Sequence, residues 1–144
     1  MNRAEKRRQR NLAGQAARNK KASTRQLGLI IEQSMDLAMR HHTAGRLSKA
    51  GSVYRGILKA NPDHPVVLHL LGVIEHQKGE NDVAVDLIKQ ALSVNPDYLE
   101  AHCNLGSVLK ELGKLDAAAA SFHRALSIRP DANAYNNLGI TYAE

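Results

Sequence analysis

Residues 99–131 read LEAHCNLGSVLKELGKLDAAAASFHRALSIRPD, and the pattern of this stretch recurs along the chain at intervals of 34 residues. Its last proline, Pro130, is preceded at that interval by Pro96 and Pro62. Such self-similarity at a fixed period predicts a repeat protein. Other positions keep the same interval, namely Gly45, Gly79 and Gly113; Ala50, Ala84 and Ala118; Leu37, Leu71 and Leu105; Asp63, Asp97 and Asp131; and the bulky Tyr54, Ile88 and Phe122.

Each repeat contains two amphipathic segments. Apolar residues follow one another at helical spacing, as at Leu68 and Leu71 before Gly79 and at Ala84 and Ile88 after it. The pattern therefore predicts two helices per unit, separated near the glycine. We predict helices over about 31–43, 48–60, 64–78, 82–94, 98–112, 116–128 and from 132 onward, with the first starting as early as 24.

The segments between the helices contain recognisable cap residues. Gly113 is predicted to adopt the left-handed conformation that ends a helix. Asp63 and Asp97 follow a proline and are predicted to cap the next first helix. The second helices are predicted to have their N-caps at one repeat position, which holds Ser48, Asp82 and Asp116.

Gly72 and Gly106 lie inside predicted helices, where glycine costs about 1 kcal/mol relative to alanine. A close approach of the partner helix would compensate for this cost. We expect the small residues Ala84 and Ala118 of the second helices to lie opposite these glycines.

The repeated pattern resembles the tetratricopeptide repeat (TPR) family, which has Leu-Gly in the first helix, Ala and a bulky residue in the second, and Pro near the end. The resemblance covers residue 31 to the end. It implies an all-α fold of tandem helix-turn-helix repeats of 34 residues, stacked in a right-handed superhelix. The first unit departs from the pattern, with Ala38 where Gly is usual and Ser34 where a large residue is usual.

The predicted organisation has five parts. Residues 1–22 form a basic flexible arm, and residues 23–64 an atypical first hairpin that caps the stack. Residues 65–98 and 99–131 are the second and third repeats. Residues 132–144 provide only the first helix of a fourth repeat, with Leu138 and Tyr142 expected to be exposed. Such exposure predicts a following helix or self-association through the C-terminal helix.

Catalytic and cofactor motifs are missing from the sequence. It has no Gly-rich phosphate loop, no nucleophile elbow and no zinc-type cysteine pair. The single cysteine, Cys103, excludes an internal disulfide and is compatible with a reducing, cytoplasmic location. The longest apolar run near the N-terminus is too short to cross a membrane. Because the motifs named above are missing, we expect no enzyme activity, cofactor or metal in this segment.

The resemblance implies that the first helix of each hairpin lines a concave groove. In that arrangement His69 and Cys103 would lie side by side, and His42, His76 and Lys110 would form a second row. A metal site of His69, His76 and Cys103 is the less favoured alternative to polar groove walls. The predicted peptide-binding residues are Met35, Met39, His42, Val66, His69, Val73, His76, Cys103, Asn104, Ser107, Lys110 and Asn137.

Asn104 and Asn137 share one position on successive first helices. A side-chain amide donates and accepts hydrogen bonds, so it can hold a peptide backbone without reading its sequence. A recurring groove asparagine is similar to the repeats of O-linked N-acetylglucosamine transferases. Chaperone adaptors instead bind carboxylates with Lys and Arg, and this chain has Met35, Met39 and His69 at those positions, which argues against such a ligand.

Positive charge is concentrated at the N-terminus. Residues 1–25 contain nine of the twenty basic residues and one acid, Glu5, whereas the remainder has a small negative net charge. A solvated tail is the ordinary interpretation of such a segment. The alternative is electrostatic attachment to nucleic acid or an anionic membrane, although no aromatic residue is present there to stack on bases.

The sequence as a whole predicts a scaffold that binds a protein or peptide in its groove. Two alternatives remain open. The repeats would be the substrate-binding part of a longer glycosyltransferase or sulfotransferase, or the chain would be an adaptor associated with nucleic acid through its arm.

Overall fold

The computed structural model describes residues 1–143, and every regular element in that range is an α-helix. This confirms the predicted all-α fold of tandem hairpins. None of the described helices has the length and apolar content needed to cross a bilayer. The helices are α1 Arg3–Thr43, α2 Leu47–Ala60, α3 Pro65–Gln77, α4 Asn81–Val94, α5 Leu99–Glu111, α6 Leu115–Ile128 and α7 Ala132–Ala143.

Three similar turns close the hairpins α1–α2, α3–α4 and α5–α6. Gly45, Gly79 and Gly113 have φ of 77°, 82° and 75°, in the left-handed region that glycine adopts without strain. In the third turn the Gly113 N–H donates to the Lys110 carbonyl, and the Lys114 N–H donates to the Leu109 carbonyl. This pair of bonds is the Schellman motif, and it confirms the prediction for Gly113.

The predicted caps of the second helices are wrong. These helices begin at Leu47, Asn81 and Leu115, so Ser48, Asp82 and Asp116 lie within the first turn instead of before it. The Schellman turn uses only the glycine and the next residue, which places the helix start one position earlier. The acids of the first turn still interact favourably with the helix dipole. The actual N-cap residues Arg46, Glu80 and Lys114 form no side-chain cap bond.

Asp63 and Asp97 do not cap the following first helices either. Helix α3 begins with a proline after His64, whose ring accepts the Val67 N–H at 3.4 Å. Helix α5 follows Tyr98, which provides no side-chain cap. In contrast, Asp131 Oδ1 accepts the Ala134 N–H at 2.9 Å. The turn before α7 is one residue shorter, and this places the aspartate next to the helix.

The core lies between the paired helices. Tyr54, Ile88 and Phe122 are fully buried, as are the alanines that precede them by four residues. A Cβ atom on Gly106 would lie 2.7 Å from the Phe122 ring, and one on Gly72 would lie 2.7 Å from Ile88. The glycines therefore make room mainly for the bulky residue of the second helix, whereas the alanines were expected opposite them.

Helix α1 starts much earlier than predicted. It begins at Arg3, where Asn2 and Glu5 form a reciprocal capping box. The composition of the arm is compatible with helix, and no proline interrupts it. Only the C-terminal part of α1 packs, with Ala38 buried against α2 and nearly all side chains before residue 31 exposed. The mobility of residues 1–22 stays a prediction.

Helix α7 is the last helix that the structure describes. It packs against α5 and α6, and Leu138 joins the core with Leu105 and Phe122. The expected exposure of Leu138 is therefore wrong, because the preceding hairpin covers this side chain. Tyr142 is exposed as expected, although its hydroxyl lies 2.8 Å from His123 Nε2.

Candidate functional site

Side chains on successive first helices pair with an offset of 35 residues instead of the repeat length. In a stack each helix contacts the next unit with one edge and the preceding unit with the other. Two residues that contact each other across neighbouring units therefore occupy different repeat positions. The pairs are His42 Nε2 with Gln77 Oε1 at 2.7 Å, His76 Nε2 with Glu111 Oε2 at 2.9 Å, and His69 Nε2 with Asn104 Nδ2 at 2.7 Å.

His69 is the best-buried member of this set, with 5% of its surface exposed. Its Nε2 faces the Asn104 amide nitrogen, and its Nδ1 lies 2.9 Å from the Tyr98 hydroxyl. Because an amide nitrogen only donates, Nε2 accepts and Nδ1 carries the proton toward Tyr98. Burial lowers the pKa of His69, opposed by the charge of Glu100. His69 is thus a neutral residue that supports Asn104, and with so little exposed surface it offers few contacts of its own to a ligand.

The two groove asparagines, Asn104 and Asn137, differ in the hydrogen-bonding groups that they leave free for a ligand. The donor end of Asn104 is used by His69, and within residues 1–143 no group donates to its Oδ1. The side-chain amide of Asn137 makes no hydrogen bond to any described residue. Together they offer two acceptors and one amide donor to a ligand.

A cleft of about 430 Å³ lies between α5 and α7. It brings together four of the predicted residues, Cys103, Asn104, Ser107 and Asn137. Sequence reasoning missed Glu100, although that residue lies 34 positions after the predicted Val66. It also missed residues that the shortened turn places at the rim. The missed lining residues are Leu99, Glu100, Asp131 and Asn133.

The cleft is polar and carries two carboxylates. Glu100 is paired with Arg129 at 3.3 Å on the exposed surface, and Asp131 caps α7. Burial raises the pKa of Cys103 to about 11, helped by Asp131 and Glu100 and opposed by Arg129. The thiol is therefore protonated at neutral pH, which makes it a poor nucleophile and a poor metal ligand.

The remaining predicted residues lie outside this cleft. Met35 is partly buried against the core of the first hairpin, and Met39 is exposed on a separate shallow depression beside Asp36 and Arg40. The rest, Val66, Val73 and Lys110, do not line the cleft.

The structure does not bring the three members of the alternative metal site together around one point. His69 is engaged with Tyr98 and Asn104, and His76 is engaged with Glu111. Across residues 1–143 no group of three His, Cys, Asp or Glu side chains is arranged to hold a metal ion.

The repeated hairpins match two family models. One, described as TPR repeat, covers residues 72–113, and the other, described as tetratricopeptide repeat, covers residues 99–131. Residues 72–131 of the chain therefore match the tetratricopeptide repeat family. The matched TPR residues contain α4, α5 and α6 in full and therefore include one wall of the cleft. A search of curated proteins found no match to the chain.

Solved structures share the TPR fold. MamA superposes with a TM-score of 0.74 at 23% identity over 78% of this chain and 62% of its own, so the chain spans less than two thirds of MamA. The first TPR of Spaghetti, bound to an HSP90 peptide, gives a TM-score of 0.76 at 21% identity over 78% of this chain and 90% of its own. At these identities the likeness concerns the fold alone.

An enzyme is also among the similar structures. A mutant of the Thermobaculum terrenum O-GlcNAc transferase gives a TM-score of 0.73 at 28% identity. The match covers 77% of this chain and 22% of the transferase. The likeness is therefore to a repeat region that makes up a small part of that protein.

Proposed function

We propose that this TPR chain is a scaffold that binds an extended peptide in the groove formed by its first helices, anchored in the cleft between α5 and α7. The observation that carries the proposal is the pair of asparagine amides in that open cleft. Asn104 offers an acceptor, and Asn137 offers both an acceptor and a donor, which are the groups needed to pair with a peptide backbone.

The charges of the cleft indicate the kind of peptide. Glu100 and Asp131 favour a segment with positive charge or with hydrogen-bond donors, and they oppose a C-terminal carboxylate. The exposed Met39 and Val66 offer apolar contacts nearer the N-terminal repeats, where the polarizable thioether of Met adapts to varied shapes. We therefore expect an apolar end toward the first repeats and a basic or uncharged end at the cleft.

A matched pair of asparagines provides the test. A peptide selected from a phage-displayed random library would be measured by fluorescence anisotropy against the full chain, Asn137→Ala and Asn136→Ala. Asn137 lines the cleft, whereas its neighbour Asn136 is exposed and does not. We expect Asn137→Ala to weaken binding by about 1–2 kcal/mol, because a backbone group is left unpaired. Equal affinities of both variants, or a library without binders, would refute the proposal.

A second candidate function is supported by the likeness to the O-GlcNAc transferase. In this proposal the repeats bind the substrate of a glycosyltransferase or sulfotransferase domain in a longer protein, and this segment itself has no catalytic role. The coding sequence downstream of residue 144 decides the matter: a transferase domain in the same reading frame supports the candidate, and an immediate stop codon contradicts it. A cytoplasmic location stays a prediction in both cases.

A further inference from the structure

The N-terminal part of α1 extends beyond the stack of hairpins as an exposed helix. From Arg3 to Gln26 almost every side chain is exposed, and the packed part of α1 begins only near Ile31. Within the described chain, none of the basic residues of this part forms an ion pair with an acid. This region is therefore available to a partner along its whole length.

The helical conformation sorts these charges onto one face. At about 100° per residue, seven of the nine basic residues fall within an arc of about 120°, and Glu5 lies on the opposite side. Arg8 and Lys20 lie outside the arc. We define the basic stripe as Arg3, Lys6, Arg7, Arg10, Arg18, Lys21 and Arg25.

We propose that the basic stripe binds the phosphate backbone of a nucleic-acid duplex. From Arg3 to Arg25 the helix rises by about 33 Å, close to one turn of a duplex. Five of the seven residues are arginines, whose planar guanidinium groups hold phosphate oxygens in a bidentate manner. A row of cations of this length on one side of a rod fits a regular row of phosphates.

Other polyanionic partners fit the helix less well. An interfacial membrane helix needs an apolar face, but the only large apolar side chain between Arg3 and Gln26 is Leu12. Single strands are held by stacking on aromatic side chains, and the first aromatic residue of the chain is Tyr54. These features favour contact with the backbone of a duplex.

The test compares two double variants that remove the same charge. Arg10→Gln with Lys21→Gln removes one arginine and one lysine from the stripe. Arg8→Gln with Lys20→Gln removes one of each from outside it. Binding of the full chain to labelled 24-base-pair DNA and RNA duplexes would be measured by anisotropy over a series of KCl concentrations, with circular dichroism to check helix content.

We expect the stripe variant to weaken binding by about tenfold and to reduce the slope of log K against log salt by about 2, because two phosphate contacts are lost. The variant outside the stripe should stay within about twofold of the unmodified chain. Preference between the DNA and RNA probes would identify the source of the phosphates.

Three outcomes would overturn the inference. Equal losses of binding affinity in the two double variants would mean that the total charge of the helix matters and the basic stripe does not. Binding to phosphatidylserine vesicles as tight as to the duplexes would point to a membrane. Competition by polyglutamate equal to that by unlabelled duplex would point to an acidic protein.

Discussion

Helices α5 and α7 contain the same motif, Asn-Leu-Gly, but within residues 1–143 only α5 is followed by a second helix that packs against it. On α7 the face toward the preceding hairpin is covered, since Ala134, Leu138 and Thr141 are 0%, 8% and 4% exposed. Its other face is open, since Tyr135 and Tyr142 are 59% and 68% exposed. The corresponding residues of α5, His102 and Leu109, are buried.

The difference teaches that each first helix uses two separate faces. One face is completed by the unit before it and the other by its own second helix. Gly106 and Gly139 lie on the second face. A Cβ atom on Gly106 would collide with Phe122, whereas one on Gly139 would meet nothing within 4 Å. Whether this position requires glycine therefore depends on the partner helix and not on the first helix itself.

The largest effect is expected from placing a methyl group at these two glycines. Gly106→Ala should lower the free energy of unfolding by as much as about 3 kcal/mol, because the fully buried Phe122 ring has no room to move. Gly139→Ala should raise it by up to about 1 kcal/mol through helix propensity. Urea denaturation measures both, and a stabilising Gly106→Ala would contradict the assigned contact.

Completing the fourth repeat should remove the difference between the two helices. Appending a turn and a copy of α6 after residue 144 should raise the free energy of unfolding by about 2 kcal/mol, the scale of burying one large side chain. It should also reverse the sign of Gly139→Ala and suppress self-association through Tyr135 and Tyr142, as measured by sedimentation. An extended chain with unchanged stability and a still-stabilising Gly139→Ala would rule out this account of α7.

The two asparagines of the motif should also differ in their effect on stability. Asn104→Ala strands the buried Nε2 of His69 and should cost about 1–2 kcal/mol of unfolding free energy. Asn137→Ala breaks no bond to a described residue and should change it by less than about 0.5 kcal/mol. Thermal or chemical denaturation of both variants checks this, and equal losses would argue against the His69 support.

The smallest effect on the free energy of unfolding is expected from lowering the pH. Burial lowers the pKa of His69 below 6.5, so the unfolded chain takes up this proton more readily than the folded chain. The free energy of unfolding should therefore fall as the pH drops below about 6.5, and His69→Gln should flatten this dependence. His41, whose pKa is lowered by partial burial and by Arg46 and Lys49, should leave a residual slope. An unchanged slope in His69→Gln would exclude the assigned proton arrangement.

Much of the candidate site depends on contacts between neighbouring units, which a repeat pattern in the sequence does not predict. Four groove residues predicted from the family resemblance do meet in one cleft, but Glu100 and Asp131 were missed, and the buried His69 supports Asn104 instead of lining this cleft. Periodicity identifies positions that are equivalent from one unit to the next. Contacts between units join positions that are not equivalent, because a stacked helix meets its two neighbours with different edges.

The amino-acid sequence by itself determined the hairpins: the periods of apolar residues and the glycines after the first helices placed the boundaries of six helices within about one residue. These features are local, since they depend on backbone conformation and on burial of one helix face. Only the tertiary structure decided which edge of each first helix meets the next unit, and hence which polar groups remain free in the cleft. It also showed α1 starting at Arg3, which converts a run of basic residues into a one-sided stripe.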